Sequence, residues 1–271
     1  PLHAGYRRLK QHLLQMARRL HLLASADRLH YLGHRMRSSV ANRRFVAEYP
    51  EYALPPAALA FEAYGHTSWQ DYRATGQAHA AAMVALIREQ AAPGRLRIAE
   101  WGCGCGRILR HIAPAGLRDA ELSGFDVDQQ AIDWCRTHLA GIAFWRCEAL
   151  PPLPAADGRF DVVYHYSVWT HLSESSVRAW STDLARVLAP GGILIATTHG
   201  DRYRHMLLPD ERSRYDAGQP VSRAGYREGR KYYLSFHPPS HVEATLRQDF
   251  RRVLRVPAQP ALPQDVWIAF K

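Results

Sequence analysis

The sequence predicts an α/β fold, in which helices cover both faces of a mostly parallel sheet. From residue 95 onward, apolar runs of strand length alternate with runs whose apolar residues have helical spacing. This alternation is typical of βαβ units. A glycine-rich loop follows the first predicted strand, where such a sheet commonly binds a nucleotide-like ligand. The hydrophobic content of 47% suffices for a globular core.

The main domain is predicted to span residues 95–271, and its elements follow one another regularly. Five strand runs alternate with helical runs, and two more strand runs joined by a proline-rich link fit a closing antiparallel hairpin. The predicted strands are Leu96–Trp101, Leu122–Phe125, Ile142–Cys147, Phe160–Tyr166, Ile193–Thr197, Arg251–Val256 and Val266–Phe270. Helices are predicted to start at Arg107–Ile112 and to span Asp128–His138 and Ser175–Leu188.

Two segments precede this domain. Residues 1–50 are predicted to form a basic amphipathic helical extension, because Leu9, Leu13, Met16, Leu20 and Leu23 recur at helical spacing between arginines. The extension could pack on the main domain or on a second subunit, rest on an anionic membrane surface, or bind RNA or another partner. Residues 51–94 are rich in aromatic side chains and are predicted to form a helical cap, either as core or as a flap over the cofactor.

Bulk composition narrows the class of protein. The net charge is +10, and the first 90 residues hold twelve of the 35 Lys and Arg against six of the 25 Asp and Glu. The four cysteines are too few for a disulfide scaffold and lack the spacing of a zinc site, so we expect no metal. No run approaches the roughly 20 apolar residues of a spanning helix. We therefore expect a cytoplasmic protein, with peripheral attachment at the inner face of the membrane as an alternative.

The glycine-rich loop is the strongest single feature. It reads Glu100-Trp101-Gly102-Cys103-Gly104-Cys105-Gly106 and directly follows the first predicted strand. Glycines there let backbone N–H groups approach a ligand, and a following helix offers its positive end. A dinucleotide-binding loop would place glycine at position 107, where this chain has Arg107. The spacing therefore argues against NAD or FAD.

Acidic residues follow the next two strands. Asp126 ends the second strand, where a carboxylate can accept hydrogen bonds from both ribose hydroxyls, while Asp128 can cap the next helix. Glu148 follows the third strand and could accept from an adenine amino group beside a backbone N–H. The alternative for Glu148 is an acid on a surface loop.

Four motifs, which follow one another along the chain, resemble the successive motifs of class I S-adenosylmethionine (SAM)-dependent methyltransferases. They are Ile98–Gly106, Gly124–Asp128, Asp157–Asp161 and Leu184–Gly192, and together they cover roughly residues 95–200. Two further stretches are similar to a bacterial subgroup found with glycan and secondary-metabolite pathways, namely Ser167–Leu172 and Thr197–Gly200.

The resemblance implies a Rossmann-like seven-stranded sheet whose last strand is antiparallel, and SAM as cofactor. It places Glu100 near the methionine amino group, the Gly102–Gly106 backbone at the methionine carboxylate and Asp126 at the ribose. Glu148 departs from the aspartate that many members have. The expected cofactor-binding residues are Glu100, Gly102, Cys103, Gly104, Gly106, Asp126, Val127, Glu148, Ala149 and Tyr166.

Histidines near the ends of the fourth and fifth strands are the candidate general bases. Methyl transfer to a hydroxyl benefits from a base whose pKa lies near the working pH. His171 is the first candidate, because sugar O-methyltransferases of this fold commonly use a histidine after the fourth strand. His199 is the second, with Asp201 as its orienting carboxylate, and His165 is expected to point away from Tyr164 and Tyr166. His171 could instead bond a backbone carbonyl.

An insertion of residues 201–231 precedes the last strands and is rich in arginine and tyrosine. Arginine forks bind phosphate or carboxylate, so the insertion predicts an acidic acceptor, unless it is a solvated loop whose acids neutralise the arginines.

These features predict an O-methyltransferase acting on a sugar, a nucleotide sugar or an acidic bacterial glycan such as lipopolysaccharide. The alternative is a SAM-dependent methyltransferase acting on RNA or on a small-molecule metabolite. Base methylation is less favoured, because the fourth strand ends in Tyr164-His165-Tyr166-Ser167 rather than in an Asn/Asp-Pro-Pro-aromatic turn. A non-catalytic protein that binds a cofactor or partner is a further alternative for the function. The chain could also form a homo-oligomer.

Overall fold

A computed structural model describes residues 23–223, 227–256 and 258–271. Of the apolar residues that predicted the basic helix, only Leu23 lies within these ranges. Tyr226 of the insertion also lies outside them. The chain forms two compact units that divide between Gln70 and Asp71. This boundary falls inside the predicted 51–94 segment, and the three-part division of the chain stays a prediction.

The first unit is helical. It contains α1 (Leu23–Glu48) and α2 (Ala57–Tyr64), and α3 (Trp69–Gln90) begins at its end. The rings of His30 and Tyr31 on α1 pack edge-on against Phe61 of α2, with centroids 5.6 and 5.3 Å apart. The predicted helical character of this region therefore holds over the residues described.

A seven-stranded sheet forms the second unit. Its strands, in chain order, are β1 (Arg97–Trp101), β2 (Glu121–Asp126), β3 (Ile142–Arg146), β4 (Phe160–Tyr164), β5 (Leu188–Thr198), β8 (Arg252–Val256) and β9 (Asp265–Phe270). The spatial order is β3-β2-β1-β4-β5-β9-β8. Strands β1 to β5 are parallel, and β9 runs antiparallel to both β5 and β8. The predicted mostly parallel sheet with an antiparallel last strand is confirmed.

Helices α4 (Gln129–His138), α5 (Glu174–Val187) and α7 (Pro239–Leu246) accompany this sheet. A large apolar cluster joins α5 and α7 to β4, β5 and β9, with Trp180, Leu246 and Trp267 almost fully buried. Because strands β1 to β5 all end at the same edge, the loops that follow them converge there.

The helix predicted after the glycine loop is much shorter than expected. Only a three-residue 3-10 helix forms, at Leu109–His111. Pro114 follows closely, and the residue before a proline avoids helical geometry, so the segment cannot extend into a long helix. The glycine loop therefore lacks a multi-turn helix behind it.

The insertion folds as a small subdomain rather than an open loop. It contains a 3-10 helix at Asp201–Met206, α6 (Pro209–Asp216) and β6 (Val221–Arg223), which pairs with β7 (Leu234–Phe236). Leu207, Tyr215, Val221 and Phe236 form its own buried cluster. Among the residues described, no helix has the length and apolar character needed to cross a membrane.

Candidate cofactor and acceptor site

The glycine loop after β1 adopts a backbone that only glycine accommodates easily. Gly102, Gly104 and Gly106 have φ values of 75°, 50° and 65°, which lie in the left-handed region. The N–H groups of Gly102 and Cys103 both donate to the carbonyl of Phe125 on β2, at 2.7 and 3.0 Å. A Cβ atom on Gly102 would lie 2.3 Å from Cγ2 of Val168. The loop is therefore held between β2 and the turn after β4.

Glu100 is a buried carboxyl at the base of this loop. Its side chain accepts a hydrogen bond of 3.0 Å from the hydroxyl of Tyr164. Burial raises the pKa of Glu100 to about 8, despite the opposing effects of Tyr164 and the nearby Arg107 charge. A cationic amino group beside Glu100 would favour its ionised form, so the residue fits its predicted place near a methionine ammonium.

Asp126 ends β2 and faces the same loop. Its two oxygens accept from the N–H groups of Gly104 and Asp128, at 2.7 and 2.9 Å. Burial raises the pKa of Asp126, partly offset by these backbone hydrogen bonds. Asp128 caps α4 by accepting from Gln130 and Ala131, as predicted. The ribose contact of Asp126 stays a prediction, and its fixed orientation is compatible with it.

Two exposed apolar side chains follow the ends of β2 and β3. Val127 follows Asp126 and is 44% exposed, and Leu150 follows the end of β3 and is 62% exposed. Glu148 projects into solvent and pairs with Arg146 at 2.9 Å, while the carbonyl of Ala149 accepts from Nε1 of Trp180. Apolar side chains at these positions suit the face of an adenine ring. The contact between Glu148 and the adenine amino group stays a prediction.

His171 lies in a 3-10 helix (Trp169–His171) after β4. Its Nδ1 atom lies 2.8 Å from the carbonyl oxygen of Tyr233. A carbonyl oxygen can only accept, so Nδ1 carries the proton, and Nε2 of the neutral ring carries the lone pair. The backbone-carbonyl interaction considered above is therefore present, and the catalytic role of His171 stays a prediction.

His199 follows β5 and is nearly buried. Its ring packs against that of Tyr203 at a tilt of 32°, with centroids 4.2 Å apart. Burial lowers its pKa to about 3, with a smaller contribution from the charge of His171. Nδ1 of His199 has no hydrogen-bond partner within the described parts of the chain. Its low pKa keeps the ring neutral at physiological pH.

Asp201 is hydrogen-bonded to residues other than His199, the histidine it was predicted to orient. Its carboxylate oxygens accept from the hydroxyl of Tyr215 at 3.1 Å and from Arg255 at 2.9 Å. Among the hydrogen bonds of the described residues, none joins Asp201 to His199. These partners anchor the insertion to the β8–β9 hairpin, because Arg255 also binds Asp265.

His165 lies outside the site. It is fully buried between Trp101 and Trp169, with ring centroids 5.4 and 4.9 Å away. Burial lowers its pKa to about 3. The alternation of side chains along β4 thus directs Tyr164 toward Glu100 and His165 toward the tryptophans.

Arginines of the insertion are partly neutralised by acids of the same segment. Arg204 pairs with Asp216, and Arg223 pairs with Glu211 at 2.7 Å. Arg223 is largely buried and also donates to the carbonyl of Met206. At these two positions the structure supports the alternative in which acids neutralise the arginines.

Comparison with known proteins agrees with this geometry. Residues 98–192 match the protein family described as "Methyltransferase domain". This segment is therefore similar to a methyltransferase domain. The match begins inside β1 and ends at the start of β5, so it contains Glu100, the glycine loop, Asp126 and His171.

Two curated relatives overlap the methyltransferase domain. One is the fatty-acid O-methyltransferase of Mycolicibacterium smegmatis, 34% identical over 109 residues, which are 40% of this chain and 38% of that protein. The other is the malonyl-[acyl-carrier protein] O-methyltransferase of Hahella chejuensis, 31% identical over 102 residues, 37% of this chain and 36% of that protein. The chain thus spans less than two fifths of each relative.

Solved structures share the fold. A SAM-dependent methyltransferase of Methanosarcina mazei superposes with a TM-score of 0.51 at 19% identity, covering 68% of this chain and 96% of that one. The PH0226 protein of Pyrococcus horikoshii gives a TM-score of 0.55 at 17% identity, covering 74% and 91%. The left-handed glycines, the buried Glu100 and the exposed Val127 fit a SAM cofactor.

Helix α3 contributes side chains to the methyltransferase domain that the sequence did not reveal. The hydroxyl of Tyr72 donates to the carbonyl of Cys105 at 3.2 Å, and the buried Arg107 guanidinium contacts Thr75 and His79 at 3.0 and 3.1 Å. The ring of His79 packs against that of Tyr166 at a tilt of 36°, with centroids 4.3 Å apart. Arg107 therefore joins the glycine loop to α3, a role that a glycine could not have.

A polar cavity of about 440 Å³ lies at the amino end of α5. Its lining is polar except for one proline, and it comprises Ser173, Glu174, Ser175, Arg178, Arg214, Pro220 and Ser222. Ser173 follows His171 by two residues, and α5 begins at the edge of the sheet where the loops converge. We call this cavity the α5 groove.

Proposed function

We propose that the chain transfers the methyl group of SAM to a hydroxyl of a sugar, a nucleotide sugar or an acidic bacterial glycan. The observation that carries this proposal is the hydrogen bond between His171 Nδ1 and the Tyr233 carbonyl. It leaves Nε2 as the basic atom, and a hydroxyl acceptor is the kind that needs a base.

Residues of this chain perform two tasks in the proposed reaction. When bound, SAM supplies an activated methyl group on a sulfonium, so that the protein mainly holds donor and acceptor in line. Glu100 and Asp126 bind the amino group and the ribose. Nε2 of His171 would take the proton of the acceptor hydroxyl and pass it to solvent. The methyl carbon would exchange its bond to sulfur for a bond to the hydroxyl oxygen, with S-adenosylhomocysteine as the second product.

The α5 groove supports a polar acceptor. Serine hydroxyls and one carboxylate can bond sugar hydroxyls, and the guanidinium groups of Arg178 and Arg214 can bind a carboxylate or phosphate. Arg178 already pairs with Glu174 at 3.1 Å, so Arg214 is the stronger candidate for an acidic substituent.

A panel of nucleotide sugars, uronic acids and acidic glycans, with S-adenosylhomocysteine release as the readout, tests the proposal. His171→Ala should lower turnover about 100-fold, the effect of losing a general base, while SAM affinity measured by calorimetry stays near that of the wild type. His205→Ala is the matched control, because His205 is an exposed histidine bonded only locally to Arg202. Normal turnover by His171→Ala would move the base to His199, and no turnover of any saccharide would reject the acceptor class.

A second candidate is methylation of an acyl carboxylate. It is favoured by one observation, the similarity to a fatty-acid and a malonyl-[acyl-carrier protein] O-methyltransferase. A carboxylate is already ionised at neutral pH and needs no base. If fatty acids are methylated and His171→Ala has normal turnover on them, this candidate replaces the first.

We also propose that α1 rests on an anionic membrane surface. Leu29, Leu32, Met36 and Val40 recur at helical spacing and are 71%, 42%, 72% and 52% exposed, whereas Tyr31, Ser38, Asn42 and Phe45 point to the opposite, packed side. Five arginines border the apolar stripe, and within the described residues none of them pairs with an acid: Arg28, Arg35, Arg37, Arg43 and Arg44. An apolar stripe bordered by cations is complementary to anionic lipid.

Flotation of the full chain with vesicles tests this contact. Binding is expected to phosphatidylcholine vesicles that contain phosphatidylglycerol and not to phosphatidylcholine alone. Met36→Asp should abolish binding, while Ala41→Asp, which adds the same charge on another exposed face, should weaken it less. Equal loss in both variants, no binding by the wild type, or a concentration-dependent dimer that Met36→Asp dissociates would each contradict the membrane proposal.

A further inference from the structure

Ser167, in the turn after β4, has an unusual backbone conformation. Its φ is +64°, and it is the one non-glycine residue with positive φ among the residues that the structure describes. A side chain in this left-handed region is unfavourable and persists where its surroundings impose it. The turn therefore needs an external restraint.

A closed ring of hydrogen bonds supplies that restraint. The N–H of Ser167 donates to Oγ1 of Thr197 at 2.7 Å, this hydroxyl donates to Oε1 of Gln264 at 2.6 Å, and Nε2 of Gln264 donates to Oγ of Ser167 at 2.8 Å. Thr197 and Gln264 are buried. Each hydrogen bond in the ring has one defined direction, and the Thr197 hydroxyl both accepts and donates, so the ring fixes both the side chain and the backbone N–H of Ser167.

The topology of the sheet explains why Gln264 reaches this turn. Gln264 immediately precedes β9, and β9 is the strand that runs antiparallel to β5. Its amino end therefore lies at the edge where the parallel strands have their carboxyl ends. A residue far away in the sequence is thus placed beside the turn after β4.

The turn touches both halves of the site. Val168 packs against the glycine loop, since a Cβ atom on Gly102 would lie 2.3 Å from its Cγ2. On the other side, the hydroxyls of Ser167 and Thr170 are 2.8 Å apart, and Thr170 directly precedes His171. Displacement of Ser167 would move Val168 and His171 together.

We propose that Gln264 and Thr197 are positioning residues that hold Ser167 in its left-handed conformation, and thereby seat Val168 against the cofactor loop and orient His171. The part that concerns His171 rests on the proposed function. The part that concerns the cofactor loop depends only on SAM binding.

Isosteric variants test the ring without disturbing packing. Thr197→Val keeps the shape of the side chain and removes the hydroxyl, so SAM affinity measured by calorimetry should fall roughly tenfold, the effect of losing buried hydrogen bonds. Gln264→Leu should have the same effect. Thr197→Ser keeps the hydroxyl and should therefore bind SAM with most of the wild-type affinity.

The decisive variant is Thr197→Val combined with Ser167→Gly. Glycine adopts a positive φ without a restraint, so the double variant should recover SAM affinity to within a few-fold of the wild type. Wild-type affinity in Thr197→Val and Gln264→Leu, or a loss that Ser167→Gly does not restore, would overturn the proposal. If Thr197→Val fails to fold, recovery of folding and SAM binding by the added Ser167→Gly supports it, and continued misfolding overturns it. SAM affinity is measured without an acceptor. A failure of the saccharide panel would therefore reject the proposed acceptor class without deciding whether Gln264 and Thr197 are positioning residues.

Discussion

At the scale of single residues, two carboxyl groups beside the glycine loop have different hydrogen-bond partners. Asp126 accepts from the backbone N–H groups of Gly104 and Asp128, whereas Glu100 accepts from the hydroxyl of Tyr164 and lies near the charge of Arg107. Burial raises the pKa of both carboxyls. Backbone hydrogen bonds oppose this rise for Asp126, and the Tyr164 hydrogen bond and the Arg107 charge oppose it for Glu100. Both groups lie beside the glycine loop, so each can be tested through SAM binding.

Asp126→Ala should weaken SAM binding by about 10- to 100-fold, because charge-assisted hydrogen bonds to the ribose would be lost. Calorimetric titration with SAM gives the affinity. Asp128→Ala is the control, since it removes only the cap of α4 and should lower stability by about 1 kcal/mol with little change in affinity. Unchanged affinity in Asp126→Ala would disprove the ribose contact.

Glu100 should make both stability and SAM binding depend on pH. Its pKa is about 8 in the folded protein and near its ordinary value in the unfolded chain. The folded state therefore binds the extra proton, and stability without SAM should fall as pH rises from about 5 to 8. Glu100→Gln should flatten this fall in thermal melts.

The same variant should bind SAM more weakly, because an amide cannot pair with the ammonium group. Binding to the wild type near pH 7 should release a proton, which calorimetry in buffers of different ionisation enthalpy measures. Equal proton release by wild type and Glu100→Gln would show that another group is responsible.

At the scale of elements, the close approach of α3 to the glycine loop depends on one glycine. A Cβ atom on Gly76 would lie 2.4 Å from the carbonyl oxygen of Arg107. A backbone atom cannot move as a side-chain end can, so α3 would have to shift away. The contacts of Arg107 with Thr75 and His79 would lengthen with it.

Gly76→Ala should therefore destabilise the protein by about 1–3 kcal/mol, the range for an overpacked core, and weaken SAM binding as well. Gly33→Ala in α1 is the matched control, since no atom lies within 4 Å of its Cβ position. That variant should gain up to about 1 kcal/mol from helix propensity. Denaturant titration gives the free energy of unfolding of both variants. If Gly76→Ala were as stable as Gly33→Ala, the close approach of α3 to the glycine loop would be contradicted.

At the scale of the whole second unit, Arg255 connects the insertion to the sheet. It binds Asp201 of the insertion and the buried Asp265 of β9. Removing it leaves a buried carboxylate without its cation. Arg255→Leu should lower stability by about 2–3 kcal/mol, less than the full value for a buried pair because Arg255 is about one third exposed.

Thermal melts of Arg255→Leu measure this loss, and Asp265→Asn added to it should restore part of the stability by removing the buried charge. If the double variant were less stable than Arg255→Leu, the ion pair between Arg255 and Asp265 would not be what connects the insertion to the sheet.

Sequence reasoning predicted the elements better than the side-chain partners. Apolar runs of strand length located all seven strands of the main sheet, because every one of these strands places at least one buried residue in the core. Sequence reasoning overestimated the helix after the glycine loop, since Pro114 lies only seven residues after the predicted helix start at Arg107. It also assigned Asp201 to His199, because neighbours in sequence suggest neighbours in space, whereas Tyr215 and Arg255 hold that carboxylate.

The sequence by itself determined the α/β architecture, the glycine loop and the positions of Asp126 and His171, because local periodicity and the order of motifs are properties of adjacent residues. Tertiary structure alone decided which distant residues meet at the site. The antiparallel course of β9 brings Gln264 to the turn after β4, and the packing of α3 brings His79 to Tyr166. Such pairings follow from the order and direction of strands and from helix packing, which no local pattern encodes.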